Sequence, residues 1–121
     1  MSKVVVWMDT EHAKLFHIGG EKSAPKIVET HEIRHHTSNE PEMKHHHEKL
    51  YRELAEKLKD AGEILLVGPG VAKSQFQHFL RDSAHSHLSG KLVGVENADH
   101  PTDPQIQDYA KRYFKKYDAL H

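Results

Sequence analysis

The chain has 121 residues, of which 36% are hydrophobic and 29% charged, a balance that suits one globular domain and excludes an extended disordered tail. It holds no cysteine, which removes disulfide scaffolds, thiol nucleophiles and cysteine-ligated zinc or iron–sulfur centres. Seventeen Lys and Arg against eighteen Asp and Glu leave a formal net charge of −1, so a uniformly basic nucleic-acid binder is excluded while a local basic face is not.

Val4 to Met8 is an unbroken apolar run, the pattern of a central strand buried on both faces. Asp9 to His12 is a polar turn, and the alternation from Ala13 to Ile18 predicts a second strand. Gly19 to Ser23 is another turn, after which Lys26 to Arg34 (KIVETHEIR) reads as a third strand, completing an antiparallel meander. His35 to Met43 (HHTSNEPEM) has no consistent period and is expected to be a loop. From Met43, the residues His47, Leu50, Tyr51, Leu54 and Leu58 recur at helical steps, with Gly62 as the expected residue just past the helix end.

Ile64 to Val67 is a further buried strand running into Gly68-Pro69-Gly70. Ala72, Phe76, Phe79 and Leu80 mark a second helix, and Lys91 to Val95 a last short strand. Thr102 and Gln105 stand at capping-box spacing, with Pro104 in the first turn of a final helix. Ile106, Tyr109, Ala110, Tyr113 and Tyr117 are its expected buried face. The order β-β-β-α-β-α-β-α predicts an α/β fold, a mixed five-stranded sheet with helices on its faces. No linker or repeat divides it, so residues 1–121 are expected to form one module.

This order, with a buried first strand and a polar stretch before the first helix, resembles the ribonuclease H-like domain of the translational machinery. Within that group the chain is most similar to the middle domain of the archaeal and eukaryotic class I release factors and of Pelota. The most specific stretch is Ile64 to Phe79 (ILLVGPGVAKSQFQHF): a hydrophobic strand, a small-Pro-Gly turn, a basic residue and a Gln-Phe pair. Val93 to Asp103 (VGVENADHPTD), followed by a Tyr/Phe-rich helix, is similar to small bacterial relatives, so a stand-alone bacterial module is expected. The resemblance covers essentially the whole chain. Release factors carry a Gly-Gly-Gln tripeptide before the first helix, where this chain reads HHTSNEPEMKHHHEK, and Gly19-Gly20-Glu21 falls in an earlier turn. The resemblance therefore implies ribosome association without peptidyl-tRNA hydrolysis.

Thirteen histidines are the unusual feature of the composition, and six of them fall between His31 and His47. With imidazole pKa values near 6.5 in the free state, their charge climbs as pH drops below neutrality. Protonated, and with Arg34 and Lys44, the residues His35, His36, His45 and His46 are expected to form a His-rich loop that would suit RNA phosphates. Imidazoles are also common metal ligands, so Asp9, His35, His36 and His45 form an alternative metal set. Spacing argues against it. Consecutive helical residues point about 100° apart, and His31 and His35 stand about 13 Å apart along a strand.

Lys111, Arg112, Lys115 and Lys116 make the final helix the most basic stretch, a second candidate RNA contact. Gly68, Gly70 and Lys73 can be read as an anion-binding turn or, more simply, as a tight strand-to-helix connection; the P-loop spacing is missing. Asp9 ends the first strand where ribonuclease H-like nucleases place a metal-binding acid, with Asp99 and Asp103 as helpers. Such chemistry needs several converging carboxylates, and the fourth strand ends in glycine and proline instead.

The sequence thus points to a translation-associated, cytoplasmic binding module contacting ribosomal RNA or tRNA, without a cofactor. No membrane partner is expected, since no apolar run nears the ~20 residues of a span and the start (Met1-Ser2-Lys3-Val4) lacks a secretory signal. A metal-dependent hydrolase of nucleic acid or phosphoester is the alternative. Self-association as a homo-oligomer through an uncovered sheet edge is a third reading.

Overall fold

A computed structural model describes residues 2–10, 12–18, 27–34, 40–82 and 85–120, with residues 2, 27–34 and 40–48 described by backbone alone. The elements are β1 (Ser2–Met8), β2 (His12–Ile18), β3 (Ile27–Arg34), α1 (Glu40–Lys57), β4 (Ala61–Gly68), α2 (Ala72–Arg81), a 3-10 segment (Ser86–Lys91), β5 (Leu92–Asn97) and α3 (Asp103–Leu120). Across the sheet the strands run β3-β2-β1-β4-β5. β1 pairs antiparallel with β2, and β2 with β3, while β1–β4 and β4–β5 are parallel. The expected mixed α/β architecture is the one that forms.

The apolar run of β1 feeds two separate cores, because successive strand side chains point to opposite faces. Val4, Val6 and Met8 enter one, together with Ala13, Leu15, Ile64 and Leu66. Leu50 and Leu54 from α1 cover it with Leu58 just past the helix, as do Ala72, Phe76 and Leu80 from α2. Val5 and Trp7 enter the other with Phe16, Leu65 and Val67, under Ile106, Ala110 and Phe114 of α3. Each fully buried aliphatic or aromatic side chain contributes roughly 1.5–3 kcal/mol, so the doubly covered centre of the sheet is the main source of stability. α1 and α2 therefore lie on one face and α3 on the other.

β5 carries a bulge that sets its contact with α3. Ile64 pairs with Leu92 but Leu65 pairs with Gly94, so Val93 is an extra residue. The shift points Gly94 toward α3, beside the Leu65 side chain and the Tyr113 ring.

Three local expectations are corrected and one element is new. α1 starts at Glu40, not after Met43, because Pro41 and the flanking acids suit a first helical turn. Lys44, His45 and His46 thus belong to a helix and not to a loop. Gly62 is inside β4, not beyond a helix end; the chain reverses at Leu58, which is fully buried and whose carbonyl accepts the Ala61 amide at 3.0 Å. The buried stripe of α3 is Ile106, Ala110 and Phe114, an i, i+4, i+8 line, while Tyr109 is 40% exposed and Tyr113 and Tyr117 are half-buried. Finally, the segment Ser86–Lys91 is a 3-10 turn that buries Leu88, which no sequence period announced. The turn at Gly19 to Ser23 lies outside the described residues.

Candidate nucleic-acid interface

α3 presents its basic residues on two flanks. Arg112 and Lys116, one turn apart, share a cleft of about 730 Å³ with Val93, Tyr109, Tyr113, Tyr117 and Leu120. Lys111 and Lys115 are not among its lining. A smaller hollow of about 380 Å³ continues toward the start of α3, bounded by Val67, Asn97, Ala98, Pro101, Gln105 and Ile106, and shares Tyr109 and Arg112 with the first. Arg112 forms an exposed i,i+4 pair with Asp108 at 3.1 Å, a contact too solvated to hold its guanidinium back from another anion.

The tyrosines are set by the bulge. Tyr113 lies over Gly94 and donates its hydroxyl proton to the Val93 carbonyl at 3.2 Å. Tyr109 and Tyr113 have ring centroids 6.2 Å apart at 41°. Burial, and then the nearby Glu96 carboxylate, push both phenols above their ordinary pKa, so they stay neutral, hydrogen-bonding rings. Periodicity alone places these rings in the core. The clue that separates them from the true stripe is Phe114, the lone aromatic on α3 without a polar tip.

The start of α3 matches its sequence signal. The Thr102 amide donates to Gln105 Oε1 at 2.9 Å, and the Gln105 amide donates to Thr102 Oγ1 at 3.3 Å, a reciprocal capping box.

At the C-terminal ends of the parallel strands, Asp9 is occupied by its own turn. Its Oδ1 accepts the His12 amide at 2.7 Å and stands 3.3 Å from His12 Nδ1, while Oδ2 is 4.0 Å from His100 Nε2. Trp7 anchors the same end: its indole N–H donates to the Asp99 carbonyl at 2.9 Å and its ring centroid is 5.2 Å from that of His100. Asp103, the other proposed helper, pairs with Lys14 at 3.2 Å. Among the described residues no three His, Asp or Glu side chains converge as a metal centre would require. The Trp7–Asp99 bond has no signal in the sequence, since no local spacing links residues 92 positions apart.

Gly68 and Gly70 both have positive φ, +151° and +65°. Lys73 is 5% exposed and its ammonium donates to the Gly70 carbonyl at 2.8 Å, so the lysine is drawn onto the turn's own backbone.

The other candidates are only partly placed. Arg34 ends β3 opposite His12 in register, and Lys44, His45 and His46 sit on consecutive positions of α1, with side chains outside the described set. His35 and His36 lie outside the described residues. α1 and α3 cover opposite faces of the sheet. Among the described residues no helix is long and apolar enough to cross a membrane.

No family model matches the chain. It is 32% identical over 114 residues to a Pelota homologue of Methanocaldococcus jannaschii, covering 90% of this chain and 31% of that protein. The fold is similar to the crystal structure of Archaeoglobus fulgidus Pelota, with a TM-score of 0.64 and 19% identity over 92% of this chain and 31% of the other. It is similar also to the archaeal translation termination factor aRF1, with a TM-score of 0.62 and 11% identity over 98% of this chain and 40% of that one. The chain thus spans about a third of the length of these relatives, and over that span it is a Pelota- and release-factor-like domain.

Proposed function

We propose that residues 1–121 act as one middle-domain-like module of ribonuclease H-like topology that serves translation in the cytoplasm. It binds ribosomal RNA or tRNA and hydrolyses no peptidyl-tRNA. The kinship with Pelota and aRF1 supports the setting, and the sequence before α1, without Gly-Gly-Gln, supports the non-hydrolytic role. The observation that carries the RNA contact is the outer face of α3, where Arg112 and Lys116 flank the exposed Tyr109 and the half-buried Tyr113 and Tyr117 along an open cleft. Cations that neutralise phosphates supply most of the affinity, and aromatic rings beside them accept bases.

Arg34, His35, His36, Lys44, His45 and His46 form a second, pH-sensitive contact in this reading. It strengthens below neutrality as the imidazoles charge. The hydrolase alternative through Asp9, His35, His36 and His45 has less support, because Asp9 already holds the β1–β2 turn.

Sedimentation of the protein with ribosomes through a sucrose gradient tests the proposal. Co-migration at low salt, weakened by raised salt and by Arg112→Glu with Lys116→Glu, is expected. Protein that stays at the top of the gradient at every salt concentration refutes it.

A further inference from the structure

The cleft between α3 and β5 has more than positive charge. We infer that it is a stacking groove for single-stranded RNA, in which unpaired bases lie on Tyr109 and its neighbouring rings while Arg112 and Lys116 hold the backbone. The inference rests on the RNA-binding reading above and narrows it to one kind of strand and one set of residues.

Three observations carry it. First, Tyr109 is 40% exposed, although the buried Ile106 lies one turn before it and the buried Ala110 directly follows it. A large ring left in solvent beside a 730 Å³ cleft has a free face, and every base has a π-surface to lay on it. Second, the groove is built on a rigid frame. The Tyr113 hydroxyl is tied to the Val93 carbonyl and its ring rests on Gly94, so the aromatic wall loses little entropy on binding. Third, the charges are arranged to match. Arg112 and Lys116 repeat at i,i+4 on the wall that also carries the tyrosines, and Tyr109 and Arg112 bridge into the adjoining hollow, extending the track along the helix.

A duplex would present only its phosphates to this wall, because its bases are already stacked. A single strand uses both chemistries. The Glu96 carboxylate, whose charge is felt by Tyr109 and Tyr113, disfavours phosphate at that end. This places the backbone on the Arg112–Lys116 side and the bases toward β5.

Fluorescence anisotropy with a short labelled oligocytidylate and with a blunt RNA duplex of equal length tests the inference. The single strand is expected to bind more tightly than the duplex. Tyr109→Ala should weaken it roughly tenfold, while Tyr109→Phe, which keeps the ring, restores most of the affinity. Duplex affinity should be the same for all three proteins, and unchanged Trp7 fluorescence reports that the fold is intact. Equal affinity for the two RNAs, or a Tyr109→Ala protein that binds as before, overturns the stacking groove and leaves the phosphate contact standing. Failure of both RNAs to bind overturns both readings.

Discussion

The Tyr113 hydroxyl occupies the space that a side chain at position 94 would fill, so Gly94 and Tyr113 are matched across the contact between β5 and α3. A methyl group at Gly94 must displace the ring and break its hydrogen bond to the Val93 carbonyl. Overpacking of this kind costs typically 1–3 kcal/mol, so Gly94→Ala should lose about 2 kcal/mol and lower the Tm by several degrees. In a Tyr113→Ala background the same substitution should cost much less, with only the Leu65 side chain left to give way. Thermal melts of the four proteins of this cycle check the coupling, and additive effects would contradict it.

Gly68 and Gly70 answer to different constraints although they bracket one proline. At Gly68, φ is +151° and a Cβ would run into the Met8 carbonyl where β1 and β4 end side by side. Gly68→Ala should cost about 3 kcal/mol, since strained backbone and a backbone clash combine. At Gly70, φ is +65° and nothing stands within 4 Å of the added carbon. Gly70→Ala should cost only about 1–2 kcal/mol and Gly70→Asn less, because Asn tolerates left-handed geometry. Urea midpoints should rank the variants in that order.

What the sequence displays and what it conceals divide along a physical line. Features written in adjacent residues are legible: the apolar run Val4–Met8 becomes the doubly buried strand, and Thr102 with Gln105 forms the capping box. Features fixed by one element acting on another are not. On α3 the line Ile106, Ala110, Phe114 and the line Tyr109, Tyr113, Tyr117 share the same period. Which of them faces the sheet depends on the docking of the helix over β5, where an extra Val93 turns Gly94 inward. The candidate RNA site is visible as charge in Arg112 and Lys116. Its aromatic wall reads as core, because period reports a face without saying what covers it. His45 and His46 read as loop because the helix signals at Glu40 and Pro41 sit in a stretch with no apolar rhythm.

Lys73 offers a test of whether the turn at Gly68–Gly70 is structural or holds an anion. Its ammonium is buried and bonds the Gly70 carbonyl, which uses the charge inside the turn. Methionine fits the same space without the desolvation cost of an ammonium, so Lys73→Met should change stability by no more than about 1 kcal/mol. Inorganic phosphate should then shift the Tm of both proteins equally. A phosphate-dependent rise in Tm confined to the unmodified protein would place an anion on the turn, by the linkage between binding and folding.

Glu63 makes the fold sensitive to pH at the opposite end of β4. Its Oε1 is buried without a hydrogen-bond partner. Burial first, and then the Asp118 carboxylate, raise its pKa above the usual 4.5, against a smaller opposing pull from Lys3. Lys3 in turn bridges to Asp118 at 3.2 Å. A carboxyl whose pKa is raised on folding binds more protons in the native state than in the unfolded one. Its contribution therefore falls as pH rises from 4.5 through the raised value and stays low above it. Glu63→Gln removes the charge while keeping the shape and can still donate to Asp118. The variant should melt at a higher temperature than the unmodified protein near pH 7, and the difference should shrink as pH falls toward 4, where Glu63 itself is protonated. Melting curves across that range decide the matter: a gain that is the same at both ends would trace the stabilisation to packing and not to the buried charge.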